Sequence, residues 1–164
     1  MRTGRILTGA EYRFLADEYE NLVATKNSTT DADRLQSLFS EAPQLRHFIT
    51  EAGFAKACHM GECGFLVSFL STNFARAKAY FQAGCECDAA HLAANTAIFD
   101  GLIAAFKDAV GSSVHMDGAF DKMFCRVHDP EFPLRLLPPY DSVSEEQFDQ
   151  YLRRLKQHPS YWLP

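Results

Sequence analysis

Apolar side chains recur every three or four residues in almost every segment of this 164-residue chain. No segment alternates apolar and polar residues between hairpin turns. That periodicity confines the fold most tightly, because only an α-helix brings positions so spaced onto one face. The reading is therefore all-α.

Residues 7–24 (LTGAEYRFLADEYENLVA) place Phe14, Leu15, Tyr19, Leu22 and Val23 at helical spacing, and Thr8 with Glu11 has the spacing of a capping box. A polar break (KNSTTDAD) can cap a second helix from about Asp33 to Glu41. Pro43 suits the first turn of a short 3₁₀ segment through PQLRHF. FAKACHMGECGFLVSFL (residues 54–70) predicts a central buried helix, in which Gly61 and Gly64 admit a close neighbour. NFARAKAYFQAG predicts a helix stopped by Gly84, and CECDAAHLAAN a short one after it. A further helix carries Ile98, Leu102, Ile103, Phe106 and Val110 and stops at Gly111. Another carries Met116, Phe120, Met123 and Phe124. Four prolines in HDPEFPLRLLPPYD end it, and Ser142 with Glu145 offers a capping box for a short C-terminal helix.

Length and composition suit one packed domain, 47% hydrophobic and 13% aromatic. A net charge of −5 with scattered basic residues argues against nucleic acid as a partner. No window reaches the apolar length of a membrane span, and no leader pattern opens the sequence, so a cytoplasmic setting is expected. The five cysteines are an odd number and are expected to be free thiols in that setting.

LFSEAPQLRHF (residues 38–48) resembles the corner between the second and third helices of globins, especially single-domain bacterial globins and flavohaemoglobin domains. The resemblance covers about residues 7–127 and implies an all-α, globin-like domain over residues 1–127, with residues 128–164 as a Pro-rich C-terminal extension containing a short extra helix. Family spacing from Pro43 places a distal position at His59 and the proximal, iron-ligating one at His91. If the shortened connection before the next helix falls earlier, Cys85 takes the proximal place instead. Leu35 and Cys63 fall on distal pocket positions, and either Phe48 or Ile49 on the residue that packs against the macrocycle.

The resemblance implies haem b, with reversible ligation of a small gas (O2, NO or CO) for sensing, carriage or detoxification. The alternative is a haem-free globin-fold module acting through protein–protein contacts. Two other readings of the same residues carry less. Cys58, His59, Cys63, Cys85, Cys87 and His91 could assemble a zinc site, but neither half has Cys-x₂-Cys spacing. Cys85 or Cys87 activated by His91 would lack an orienting third group. The tail, ending in Tyr161, Trp162 and Leu163, is expected to cover the domain or to form a homodimer or partner contact.

Overall fold

The computed structural model describes residues 5–111 and 117–157, Ser71 by its backbone alone. Met116, Tyr161, Trp162 and Leu163, singled out above, lie outside the described residues. The chain divides into two compact units, Met1–Val67 with Tyr80–Ala93, and Ser68–Ala79 with Ala94–Pro164.

In the first unit, α1 (Gly9–Glu18) starts at the Thr8–Glu11 capping box, both reciprocal bonds being present. The chain then enters a strand, β1 (Ala24–Asn27), crosses through α2 (Ala32–Glu41) to β2 (Arg46–Thr50), and through α3 (Glu51–Ala57) to β3 (Gly64–Leu66). The three strands form one sheet in the order β1-β2-β3, and both pairings are parallel. Parallel neighbours require a crossover, and α2 and α3 supply it.

The all-α, globin-like expectation is thus corrected: the first unit is built from consecutive βαβ units around a parallel sheet. The physical reason is strand length. Strands of four, five and three residues are too short to display alternation, and each adjoins a helix whose spacing dominates any longer window. The central helix expected over residues 54–70 ends at Ala57; the glycines belong to the following turn and to β3, and a 3₁₀ turn, Phe69–Thr72, comes after them. Pro43 starts no helix. It sits in the turn closed by the Leu45 N–H on the Ala42 carbonyl, which delivers the chain into β2.

Side chains alternate across this sheet. Thr25, Asn27, His47 and Ile49 are buried, while Lys26, Arg46 and Phe48 are exposed. Ile49 joins Leu35 and Leu38 of α2 and Ala57 of α3 in one cluster, each fully buried. Every such aliphatic side chain contributes about 1.5–3 kcal/mol relative to leaving it in water. Asp31 caps α2 through the Arg34 N–H at 2.8 Å. A polar chain runs beneath the sheet: Asn27 Nδ2 donates to Thr25 Oγ1, Thr25 Oγ1 lies 2.8 Å from His47 Nδ1, and His47 Nε2 donates to the Ala42 carbonyl. Beside the sheet the Phe54 ring packs on Phe65, Tyr80 and Phe81.

α4 (Phe74–Cys85) runs on past the glycine expected to stop it. A Cβ on Gly84 would stand 2.3 Å from the Phe54 ring, so glycine serves close approach there rather than termination. α5 (Ala89–Val110) merges the two helices expected on either side of Asn95 and stops at Gly111, φ +67°. By length and composition α5 could cross a membrane, contrary to the expectation from the sequence. Core helices meet the same condition, and its buried Leu92, Phe99, Leu102 and Ala109 repeat at intervals of a helical face.

In the second unit, Phe69 packs on Phe99, Phe106 and Phe124. α6 (Asp117–His128) supplies Phe120 and Phe124 to this cluster, and α7 (Glu145–Gln157) supplies Tyr151. The capping box of α7 is Ser144 with Gln147, two residues after the expected pair. Ser142 instead accepts the Leu136 N–H. Gln147 and Gln150 donate to the Val110 and Asp108 carbonyls at the end of α5.

Candidate active site

A cavity of about 680 Å³ opens in the first unit at the carboxyl end of β1. Lys26 projects from the exposed side of that strand and lines it, and the segment from Asn27 to Thr29 forms one wall. Local chemistry fixes that wall. Asp31 is committed to capping α2, its own N–H donates to Thr29 Oγ1, and Lys56 Nζ donates to the Thr30 carbonyl. The opposite wall holds Tyr12 and the stretch from Arg5 to Leu7.

Among the described residues the lining carries three cations, Arg5, Lys26 and Arg34, and no carboxylate. Arg34 Nη2 donates to the Leu7 carbonyl at 2.5 Å, fixing that guanidinium between α2 and the entering chain. Arg5 pairs with Glu11 at 2.7 Å. The Thr8 backbone N–H, with Arg5 adding to it, holds the Glu11 carboxyl below its ordinary range. A concave site with an excess of fixed positive charge suits an anionic ligand. In parallel β/α folds, ligands gather outside the carboxyl ends of the strands, which is where Lys26 stands.

The residues expected to form a haem pocket are distributed otherwise. Leu35 and Ile49 are fully buried core residues, and Cys63 packs at the edge of their cluster. Phe48 points from the opposite, exposed face of the sheet, so the alternation of β2 separates it from Ile49. His59 is exposed in the turn after α3. His91 is exposed in the first turn of α5, its ring 3.6 Å from Asp88. Cys63 and Cys85 line a second cavity together with Cys58 and Cys87. Among the described residues no group of three or more His, Cys, Asp or Glu side chains is arranged to hold a metal ion.

Sequence reasoning missed Lys26, whose segment reads as a polar break between helices. The available signal was LVAT, a short apolar and β-branched run, followed at once by small polar residues and the α2 cap.

No protein-family model matches the chain, and no curated protein matches its sequence. Solved structures do match. CdNal from Clostridium difficile, in complex with mannosamine, superposes with a TM-score of 0.74 at 15% identity over 94% of this chain. N-acetylneuraminate lyase from Fusobacterium nucleatum superposes with a TM-score of 0.72 at 17% identity over the same share. The chain spans about half the length of these structures, 51% of each. Both are of the (β/α)8-barrel type. Likeness at such identity establishes the fold, and it overturns the globin resemblance. With that resemblance go gas ligation by a globin and its haem-free globin-module alternative. The distal and proximal roles of His59, His91 and Cys85 lose their basis with it.

Proposed function

We propose that this chain carries the nucleophile-bearing part of a carbonyl lyase, with Lys26 as the group that attacks the substrate. The observation that carries this reading is the position of Lys26: at the carboxyl end of a parallel strand, lining a cavity with two arginines and, among the described residues, no carboxylate. Fold alone does not assign chemistry, so the reading rests on that site. The neighbours' names, a lyase acting on N-acetylneuraminate and a protein holding mannosamine, agree with it.

The chemistry follows from the groups present. The Lys26 amine adds to a carbonyl carbon and water leaves, forming an iminium. Where the second carbon along bears a hydroxyl, the bond between that carbon and the one next to the iminium breaks, its electron pair flows toward the iminium nitrogen to give an enamine, and the hydroxyl proton passes to a base as the second carbonyl forms. Tyr12, which lines the cavity, is the phenol assigned here to exchange that proton. Arg5 and Arg34 favour a substrate with a carboxylate beside its carbonyl, the arrangement in an open-chain 2-oxo sugar acid. The enamine that results takes up a proton at its carbon, and hydrolysis of the iminium so formed frees the 2-oxo acid and regenerates the amine. A cytoplasmic setting is kept in this reading; haem, which rested on the globin resemblance, is not.

The test is release of a 2-oxo acid from N-acetylneuraminate by the purified protein, compared with Lys26→Met. Release that depends on Lys26 supports the reading. Equal release by both proteins contradicts it.

A further inference from the structure

Four of the five cysteines surround one cavity of about 280 Å³ in the first unit. Cys58 caps α3 and Cys63 precedes β3, so both belong to the connection that enters the amino end of that strand. Lys26 stands at the carboxyl end of β1, so this second cavity belongs to the other end of the parallel sheet. Cys85 is the last residue of α4 and Cys87 lies in the turn to α5. The fifth, Cys125, is on α6 in the second unit. All five are free thiols.

Two local features bring the four together. A Cβ built on Gly84 would lie 3.5 Å from the Cys58 Cβ, so the absence of a side chain there lets the end of α4 close on Cys58. Cys87 adopts φ +55°, in a helix terminus where the Asp88 N–H reaches the Ala83 carbonyl and the Cys87 N–H the Gly84 carbonyl. Glycine ordinarily occupies that left-handed position. Here a thiol stands at the cavity rim instead.

The thiols also act on one another. Burial pushes the Cys58 thiol up, with Cys87 and then Cys85 adding to it. Burial pushes Cys63 up to about 12, reinforced by Cys58, Cys85 and Glu62. Held protonated by burial, Cys58 and Cys63 are the poorer nucleophiles of the cluster, so the first attack falls to the exposed Cys85 or Cys87.

We infer that this cavity is a thiol–disulfide exchange site, at which a low-molecular-weight disulfide such as glutathione disulfide closes a bridge between Cys58 or Cys63 and Cys85 or Cys87. The exposed thiolate of Cys85 or Cys87 attacks one glutathione sulfur, giving a mixed disulfide and one glutathione thiolate. Cys58 or Cys63 yields its proton to water, and its sulfur attacks the protein-side sulfur, expelling the second glutathione. Two protein thiols are oxidised and one glutathione disulfide is reduced to two thiols. The bridge ties the α3–β3 connection to the end of α4, and it does not depend on the role proposed for Lys26.

The experiment treats the full-length folded protein with glutathione disulfide at neutral pH, then counts free thiols and maps disulfides under non-reducing conditions. The expected result is loss of two free thiols without retained glutathione, a peptide pair joining Cys58 or Cys63 to Cys85 or Cys87, and a free Cys125. The double variant Cys85→Ser, Cys87→Ser, with an unchanged circular dichroism spectrum, forms no bridge. Five free thiols, glutathione adducts without a bridge, a bridge to Cys125, or the same bridge distribution in urea-unfolded chain would each overturn the inference.

Discussion

Lys26 and Phe48 are register partners on adjacent parallel strands, and both project from the exposed face of the sheet. Gly64 is the next partner in the row, and a Cβ there would stand 2.4 Å from the Phe48 ring. The glycine therefore leaves room for the ring that flanks the proposed nucleophile. Gly64→Ala forces that ring to shift and is expected to cost about 1–3 kcal/mol, as overpacking does. Urea denaturation of the variant checks it, and an unchanged midpoint would contradict the packing described.

Phe54 is the hub of the aromatic cluster beside the sheet, 1% exposed and touching Phe65, Tyr80 and Phe81. Phe54→Ala removes those contacts and opens a cavity, with an expected loss of about 3–5 kcal/mol. The loss should appear in the same denaturation measurement, with the dependence on urea unchanged.

Thr25 Oγ1 links Asn27 Nδ2 to the His47 ring beneath the sheet, where all three residues are buried. Thr25→Val keeps the shape and the strand preference but leaves both neighbours without that partner. A destabilisation of about 1–3 kcal/mol is expected, larger than that of a conservative surface change. Thermal unfolding of Thr25→Val beside Thr25→Ser separates the lost hydroxyl from any change in packing.

Cys87 holds a left-handed conformation without being glycine. Cys87→Gly relieves the Cβ clash and should raise stability by about 1 kcal/mol in the reduced protein. A lower melting temperature would show that the thiol makes compensating contacts.

Cys63 gives a pH dependence with a definite sign. Its thiol is raised from an ordinary value of 9.0 to about 12 by burial, with Cys58, Cys85 and Glu62 contributing. Between those values the unfolded chain loses the proton while the folded chain keeps it. Stability is therefore fully present below pH 9 and falls as pH rises toward 12. Under reducing conditions, Cys63→Ala should flatten that fall, as measured by urea midpoints across the alkaline range.

The features legible in the sequence are those written in neighbouring residues. Thr8 with Glu11 announces α1, and Gly111 ends α5 as its conformational freedom suggests. The strands escaped because β3 has three residues and β1 ends in Lys-Asn, which reads as loop composition. Gly84 shows the same limit differently: a glycine near a helix end signals termination, while its use here, contact with Phe54, is set by a residue thirty positions earlier. The role of Lys26 was hidden for that reason too, although LVAT signalled the strand that carries it. Its significance comes from the strand beneath it and from arginines on separate segments, a convergence that only the fold creates.

The central claim concerns Lys26 as a carbonyl-binding amine, and reductive trapping tests it directly. The protein is incubated with pyruvate and borohydride, digested, and its lysine-containing peptides are examined by mass spectrometry. The account predicts one reduced adduct, on the peptide containing Lys26, and none in the folded Lys26→Arg variant. No adduct, or adducts spread evenly over the surface lysines, would contradict it.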